Sequence, residues 1–316
     1  MGPWIAVHLS MGVSDMKKFL INIAIFFAIV AAVDFSLGKA FYYLQAHVAG
    51  GRTGAEYYVC EKATEDILIM GSSRALHHYV PEVVFEQIGM SCFNAGQDGN
   101  GIVLQYGRWK MISKHHVPKV LIYDIEPVFD FSEDDKTRYI DRLKPFAGDK
   151  DVKEYVAGLF PMERYKLFSC MYRYNYKFIE IMSDCARQTG NNNGYIPNLN
   201  HIRQEVIDKE QSPEKASLGK IDEVKMKCLI NLIDDAKSMG VKVVLVSSPY
   251  WKGYNDYNLE VIRQLAEDKG VVFLDYADSE IRNNPDWFAD SMHLNDDGAQ
   301  VFTADIAEKI KQLCCF

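Results

Sequence analysis

Short apolar runs alternate with longer amphipathic segments along this chain. Each apolar run predicts a buried strand, because a strand that is covered on both faces is apolar throughout. The predicted strands are Asp66–Met70, Ser91–Ala95, Lys119–Asp124, Val241–Ser247 and Val271–Tyr276. The predicted helices are Arg74–Ile88 (interrupted by Pro81), Gly101–His115, Ile221–Met239, Tyr257–Lys269 and Gly298–Leu313. This alternation predicts a doubly wound α/β sheet of parallel strands with helices on both faces.

Residues 129–220 interrupt the alternation and separate the third strand from the helix that should pack beside it. Within this range Val152–Ala157 and Glu163–Ala186 have a helical pattern rich in aromatic residues, and Gln188–Asn200 is a polar loop. We interpret the range as a mainly helical insert that covers the edge where the strands end. Its aromatic side chains either pack the insert onto the core or form a lid that binds sugar rings or a partner protein.

The N-terminal region carries a membrane signal. Lys17 and Lys18 precede an apolar run from Phe19 to Val33, which Asp34 ends. The run is shorter than the roughly 20 apolar residues of a spanning helix, so an uncleaved anchor and a signal peptide cleaved near Val30-Ala31-Ala32 both fit it. Under either interpretation the Lys pair stays in the cytoplasm and the bulk of the chain is exported. The predicted organisation is an extension and anchor over residues 1–44 and an α/β domain over residues 60–316.

Length and composition narrow the class of protein. The chain has 316 residues, of which 48% are hydrophobic, so it can bury a full core. Its net charge of −8 and its lack of a Lys/Arg-rich run give no support for nucleic-acid binding. The seven cysteines are odd in number and have no zinc-ligand spacing, so they do not describe a disulfide scaffold. The adjacent histidines His77-His78 and His115-His116 diverge by about 100° on a helix, and we predict neither a metal nor a cofactor.

Two short motifs near the ends of the α/β pattern carry the candidate chemistry. Gly71-Ser72-Ser73 follows the first predicted strand, and Asp290 and His293 lie three residues apart before the last predicted helix. A serine hydroxyl is a weak nucleophile unless a base lies nearby, and a carboxylate orients that base. Each motif alone also has a structural interpretation, as a helix cap or as a hydrogen-bonded surface pair. Their order and their positions favour a nucleophilic acyl-transfer site.

These motifs resemble the sequence blocks of SGNH (GDSL-type) hydrolases. Gly71-Ser72-Ser73 resembles the first block, Asn94–Gly99 the second, and Asp290–Leu294 the last, which Asn295 and Gly298 follow as is usual in the family. The resemblance covers about residues 64–130 and 240–313. It is nearest to the membrane-anchored branch that includes the D-alanyl-lipoteichoic acid transfer protein DltD and the alginate O-acetylation proteins. It implies a flavodoxin-like three-layer α/β/α sandwich with about five parallel strands.

The resemblance also implies a role for each matching residue. Ser73 would be the nucleophile, and His293 would act as the general base and then as the general acid. Asp290 would hold the imidazole of His293 in the correct tautomer. The backbone N–H groups of Ser73 and Gly99 would stabilise the oxyanion.

The sequence departs from the family pattern at two places. Ser72 replaces the aspartate before the nucleophile, as in the anchored branch, and Ser72 is therefore an alternative nucleophile. The Gly-x-Asn-Asp block after the third strand is missing, so the asparagine amide that normally completes the oxyanion hole is absent. Asn94 and Arg74 are candidate auxiliary residues. Arg74 would bind an anionic acyl donor or substrate, or form an ion pair on a helix surface.

The predicted function is that of an exported, membrane-anchored SGNH-like serine enzyme acting on acyl esters of a saccharide or polymer of the cell envelope. Water would take the acyl group in an esterase, and a sugar hydroxyl would take it in an O-acyltransferase. A third interpretation is a non-catalytic accessory protein that docks on a membrane-bound O-acyltransferase.

Overall fold

A parallel sheet forms the centre of the computed structural model, which describes residues 13–133, 139–175, 177–187, 190, 192–208, 219–252 and 259–314. Its strands are β1 (Ile67–Gly71), β2 (Cys92–Asn94), β3 (Val120–Asp124), β4 (Lys242–Ser247) and β5 (Val272–Asp275). The strand order is β2-β1-β3-β4-β5, which is the order of flavodoxin-like folds. The predicted fold class is confirmed, and every predicted strand end lies within one residue of the observed end.

The helices flank this sheet on both faces. In chain order they are α1 (Val13–His47), α2 (Gly51–Glu61), α3 (Ser73–His78), α4 (Pro81–Ile88), α5 (Ile102–His115), α6 (Pro127–Asp130), α7 (Lys150–Leu159), α8 (Glu163–Lys166), α9 (Lys177–Arg187), α10 (Gln204–Ile207), α11 (Glu223–Ser238), α12 (Glu260–Lys269) and α13 (Asp296–Cys314). The predicted helix over residues 74–88 divides into α3 and α4 at Pro81, which is the first residue of α4. The predicted start of the helix at Tyr257 lies outside the described residues.

Alternate residues of the central strands enter two separate cores. Leu68 and Met70 of β1 belong to the core with α5 and α11, whereas Ile67 and Ile69 belong to the core with α4 and α13. This follows from the period of two in a strand. The parallel register pairs Gly71 with Asp124. The carboxyl ends of the strands therefore meet at one edge, where Ser73 follows β1.

The insert differs from its sequence interpretation in two respects. Val152–Ala157 lies within α7, but the continuous helix predicted over Glu163–Ala186 is wrong, because α8, a 3₁₀ turn at Tyr172–Tyr174 and α9 replace it. The helical part packs mainly against α1, α2 and α5, and of its described helices α9 borders a cavity beside the end of β2. The polar part reaches the carboxyl edge, where Ile196 N–H donates to Leu76 O. Tyr176 and three positions of the predicted loop (188, 189 and 191) lie outside the described residues.

The break in the predicted helix is explained by contacts with α1. The Asp34 carboxylate on α1 accepts a hydrogen bond from the Ser169 hydroxyl at 2.5 Å and from the Cys170 and Met171 N–H groups at 2.6 and 3.0 Å. These N–H groups would otherwise donate to carbonyls one turn earlier. A partner 135 residues away in sequence thus ends the helical pattern.

Helix α1 is long and apolar enough to cross a membrane. Its residues from Phe19 to Val33 are exposed, and the residues that pack against the rest of the protein begin at Asp34. Phe41 of the same helix stacks on Tyr174 of the insert with ring centroids 5.8 Å apart. The apolar half of α1 therefore projects from the protein, and the other half is part of it.

A buried ion pair joins α2 to α5. Arg108 Nε donates to Glu56 Oε1 at 3.0 Å, and both side chains are almost fully buried. Arg108 Nη1 also donates to the Ala95 carbonyl at 2.6 Å, just beyond β2. Arg142 and Lys177 add positive charge around Glu56, and with Arg108 they lower the pKa of its carboxyl although burial opposes this. The pair ties the helix after the anchor to the loop after β2.

We expect Glu56→Ala to lower the free energy of unfolding by about 3–5 kcal/mol, because it leaves Arg108 buried without its counter-charge. Urea unfolding of the full-length protein in detergent would measure the change. Glu61→Ala, on the exposed end of the same helix, is the matched control and should change stability by only about 0.5 kcal/mol. Equal midpoints for the two variants would contradict the structural role of the pair.

Candidate active site

The turn after β1 places Ser73 at the carboxyl edge of the sheet. Gly71 has φ +149°, and an added Cβ would lie 2.6 Å from the Asp124 carbonyl oxygen, so only glycine fits between the strands there. Ser73 is the first residue of α3. Its Oγ lies 2.8 Å from His293 Nε2. The structure thus brings together two side chains that are 220 residues apart in sequence.

The loop before α13 places Asp290 against His293. Both carboxylate oxygens of Asp290 lie 3.0 Å from His293 Nδ1. Oδ1 also accepts the N–H groups of Met292 and His293 at 2.7 and 2.9 Å. Partial burial opposes ionisation, but the hydrogen bonds and charge of His293 and these N–H groups lower the pKa of Asp290. An ionised Asp290 accepts a hydrogen bond from Nδ1–H of His293, which leaves Nε2 without a proton and able to accept the Ser73 hydroxyl proton.

Ser72 is placed differently from Ser73. It is 1% exposed, and its Oγ has no hydrogen-bond partner among the described residues. It occupies the cap position before α3, but its side chain makes no capping bond. The structure therefore brings Ser73, and not Ser72, to His293.

The second motif holds α3 in place. Asn94 Nδ2 donates to the carbonyls of Ala75 and Tyr79 at 2.7 and 2.9 Å, which are acceptors at the end of α3. A side chain at Gly96 would overlap the backbone of Leu76, so glycine allows α3 to lie directly on this loop. Asn94 is 1% exposed, and its amide is used inside the protein. Its observed role is to support the helix that carries Ser73.

Gly99 is the last residue of this motif and lies in a turn. It has φ +65°, and an added Cβ would meet none of the described atoms within 4 Å. Its neighbour Asp98 accepts a hydrogen bond from His77 at 3.1 Å and forms an ion pair with Arg52 at 2.8 Å. The position that a Gly99 side chain would occupy is therefore open, and Gly99 lines a hollow with Tyr139, Asp141 and Arg142.

Arg74 lies inside the protein, which corrects its prediction as a helix-surface residue. It is 2% exposed, and its guanidinium lies 3.2 Å from Asp124 and 3.6 Å from Glu126. It also donates to the Ile125 carbonyl at 2.8 Å. A buried cation is stable only beside opposite charge. The segment that replaces the missing third block therefore supplies the partners of Arg74, and Arg74 does not reach an incoming anion.

His78 was not identified as a site residue from the sequence. It is fully buried, its Nε2 accepts the Leu294 N–H at 3.0 Å, and its Nδ1 lies 2.9 Å from Ser248 Oγ. An imidazole can accept at Nε2 only when that nitrogen carries no proton. Burial, followed by the nearby charges of Arg74, His293 and His77, holds the pKa of His78 well below its ordinary value. A neutral His78 thus fixes the residue next to His293.

The surroundings of His77 favour its protonated form, whereas those of His78 favour the neutral form. Its Nδ1 lies 2.7 Å from the Ile196 carbonyl and its Nε2 lies 3.1 Å from Asp98 Oδ1. Both partners only accept, so the ring makes both bonds when it is protonated. Burial opposes this charge, but Asp98 and the Ile196 carbonyl raise the pKa of His77. The His77 and His293 ring centroids are 5.8 Å apart, so a charge pair borders the candidate base.

A cavity of about 740 Å³ opens between α2, α9 and the end of β2. Its wall includes the apolar residues Leu76, Phe93 and Ile196 and the polar residues Arg52 and Gln97. Ser73 and His293 do not line it, but Leu76 lies one helical turn after Ser73. The cavity is therefore a neighbouring space and not the reaction centre itself.

Neither a protein-family model nor a curated protein sequence matches the chain. Among solved structures, the chain is similar to a provisionally assigned acylhydrolase from Bacteroides fragilis. The TM-score is 0.42 and the identity is 12%, over 83% of this chain and 97% of that chain. It is also similar to a gut microbial diltiazem-metabolizing enzyme, with a TM-score of 0.34 and 13% identity over 79% of this chain and 47% of that chain.

We expect His78→Gln to reduce the loss of stability at acidic pH. The unfolded chain takes up a proton at this histidine below about pH 6.5, whereas the buried ring stays neutral. Wild-type stability should therefore fall as the pH drops below that value, with His78 contributing about 1 kcal/mol per pH unit. Urea unfolding between about pH 7.5 and about pH 5.5 would give both slopes. His47→Gln, at an exposed histidine of α1, is the control, and a His78→Gln slope equal to wild type would refute the neutral state.

Proposed function

We propose that this protein is an exported, membrane-anchored serine enzyme with SGNH-like chemistry that acts on acyl esters of cell-envelope carbohydrate. The observation that carries the proposal is the contact series at the strand ends. Ser73 Oγ lies 2.8 Å from His293 Nε2, and His293 Nδ1 lies 3.0 Å from Asp290. Within these distances a hydroxyl, a base and an orienting carboxylate can act as one unit.

In the proposed reaction, Ser73 Oγ attacks the ester carbonyl while His293 Nε2 takes the hydroxyl proton. The C–O bond of the ester then breaks, and His293 returns the proton to the departing sugar oxygen. The acyl group remains on Ser73. A second hydroxyl, from water or from another sugar, attacks this acyl-enzyme while His293 Nε2 takes its proton. The bond between the acyl carbon and Ser73 Oγ then breaks, and His293 returns the proton to Ser73 Oγ. Asp290 stays ionised throughout and stabilises the imidazolium.

Two backbone groups are the proposed donors to the oxyanion. The N–H of Ser73 is at the first position of α3, where no carbonyl one turn earlier can accept it. The N–H of Gly99 is the second proposed donor, and Gly99 borders open space. The third-block asparagine is absent, and loss of one oxyanion donor raises the barrier by about 3 kcal/mol. The proposal therefore includes slow turnover unless substrate binding supplies a further donor.

Acyl transfer is the reaction that we favour over simple hydrolysis. Ser72 resembles the anchored transfer branch, and α1 keeps the protein near the cell envelope. The cavity beside Leu76 gives space for a second substrate within one turn of Ser73. Water must still be excluded from the acyl-enzyme in a transferase, and a bound acceptor in this space would contribute to that exclusion.

We expect a fluorophosphonate probe to label wild type and Ser72→Ala, and to fail with Ser73→Ala. Only Ser73 lies within reach of His293, whereas Ser72 is buried. In-gel fluorescence and mass spectrometry of the adduct would measure labelling and its position. An impermeant form of the probe should label Ser73 in intact spheroplasts as well, since the site is proposed to face outside the cytoplasm.

Each result of this labelling experiment has a distinct meaning. An adduct on Ser72 alone would overturn the assignment of the nucleophile. Labelling in lysate but not in spheroplasts would reject export and leave the enzyme proposal intact. Failure of the folded wild type to react would favour the non-catalytic accessory protein, for which the missing oxyanion asparagine is the supporting observation.

We expect an oligosaccharide acceptor to divert the acetyl group of a chromogenic acetyl ester from water to sugar. Purified protein would receive the ester with and without acceptor, and free acetate and acylated sugar would be quantified. Ser73→Ala, which retains the acceptor space but lacks the nucleophile, is the control. Two results together would reject the transferase and indicate an esterase: acetate release that no acceptor reduces, and unchanged polysaccharide acylation in a Ser73→Ala strain.

A further inference from the structure

An exposed apolar patch on the insert consists of Met162, Tyr165 and Phe168. These side chains are 64%, 67% and 69% exposed, although all three are large and hydrophobic. They are spaced three residues apart, and the N–H groups of Tyr165 and Phe168 donate to the carbonyls three residues earlier. Side chains three residues apart on a helical turn are neighbours. Glu163 and Leu167 of the same segment are buried, so the three apolar side chains lie on its outer side, beside the exposed Arg164 and Lys166.

This patch adjoins the point where α1 leaves the protein. Phe168 precedes Ser169, whose hydroxyl donates to Asp34 at 2.5 Å, so its Cα lies about 3.8 Å from that of Ser169. Asp34 is followed on the same face of α1 by Gly38 and Phe41, which pack against Cys170 and Tyr174. The height of the patch along α1 is therefore fixed by several contacts.

Asp34 marks the outer end of the apolar part of α1. The uncharged run from Phe19 to Val33 covers about 22 Å at 1.5 Å per residue. A bilayer has a hydrocarbon core of about 30 Å, so the run is short for a span. When the apolar stretch is shorter than the hydrocarbon core, the mismatch draws the flanking residues toward the membrane. Asp34, the residue after Val33, contacts Ser169 and Met171 directly, so the insert begins to pack on α1 where the apolar run ends.

We infer that Met162, Tyr165 and Phe168 insert into the headgroup and acyl boundary of the membrane that α1 spans. Large apolar and aromatic side chains are favoured at this depth. Two cationic groups accompany them: Lys153 Nζ lies 4.2 Å from the Phe168 ring centroid, and Arg164 is exposed. Such groups are attracted to anionic lipid. This inference rests on the membrane span proposed above and extends it to a second contact with lipid.

Tryptophan fluorescence in lipid nanodiscs tests the inference with the full-length protein. Phe168→Trp and Tyr165→Trp report on the patch. Phe85→Trp is the matched control, because Phe85 is also 58% exposed but lies on α4, on the opposite face of the sheet from α5. Phe26→Trp reports on the apolar part of α1. The patch and control variants are measured in phosphatidylcholine with and without lipids brominated near the carbonyl end of their chains. Phe26→Trp is measured with and without lipids brominated near the methyl end, and wild-type emission is subtracted throughout.

We expect the two patch reporters to lose about half of their added emission in brominated lipid, since an interfacial apolar face lies about 5–10 Å into the boundary. Phe85→Trp should be unchanged. Quenching at Phe26 with none at Phe168 or Tyr165 beyond the Phe85 control would overturn the inference and would indicate a protein partner for the patch. Absence of quenching at Phe26 would instead reject the span itself.

Discussion

The neutral imidazole of His78 connects the two segments that carry the reacting groups. Ser73 and His78 are the two ends of α3, and His78 accepts the N–H of Leu294, the residue after His293. Its other nitrogen faces Ser248 beyond β4. A protonated ring cannot accept the Leu294 N–H, so the 2.8 Å approach of His293 to Ser73 depends on a buried histidine that stays uncharged. Burial and the nearby Arg74 charge both lower the pKa of His78 and favour that state.

Buried charge also explains what replaces the missing third block. Asp124 and Glu126 lie beside Arg74, the residue after Ser73, and neither side chain carries the amide that the family's third block supplies. Burial raises the pKa of Glu126, although Arg74 opposes this. A buried ion pair contributes little net stability, but removing one partner is costly. The cluster therefore fixes the start of α3 rigidly, and the oxyanion depends on fewer donors.

The strands were predictable because each is apolar on both faces, and such a strand is visible in the sequence as a short apolar run. The helix ends at Gly240 and Gly270 were also predictable from the local sequence, because glycine after a helical pattern marks the end of the helix. Both glycines have positive φ values, which favour this residue. The pairing of Ser73 with His293 was anticipated from the order and positions of the two motifs and from the resemblance to a family. The burial of Arg74, the role of His78 and the break at Ser169 were not predicted. Each depends on a polar partner at least 50 residues away, which no local pattern encodes.

The segment after α1 links this helix rigidly to the candidate site. On α2, Arg52 pairs with Asp98, and Glu56 holds Arg108 against the Ala95 carbonyl, so both contacts reach the loop that supports α3. From Asp34 to His47, α1 continues for about 20 Å at 1.5 Å per residue. If α1 crosses the membrane along its normal, this length raises Arg52 and its loop well above the lipid chains. Under the proposed function, a site at that height would face the polymers of the envelope, where an ester on carbohydrate is found.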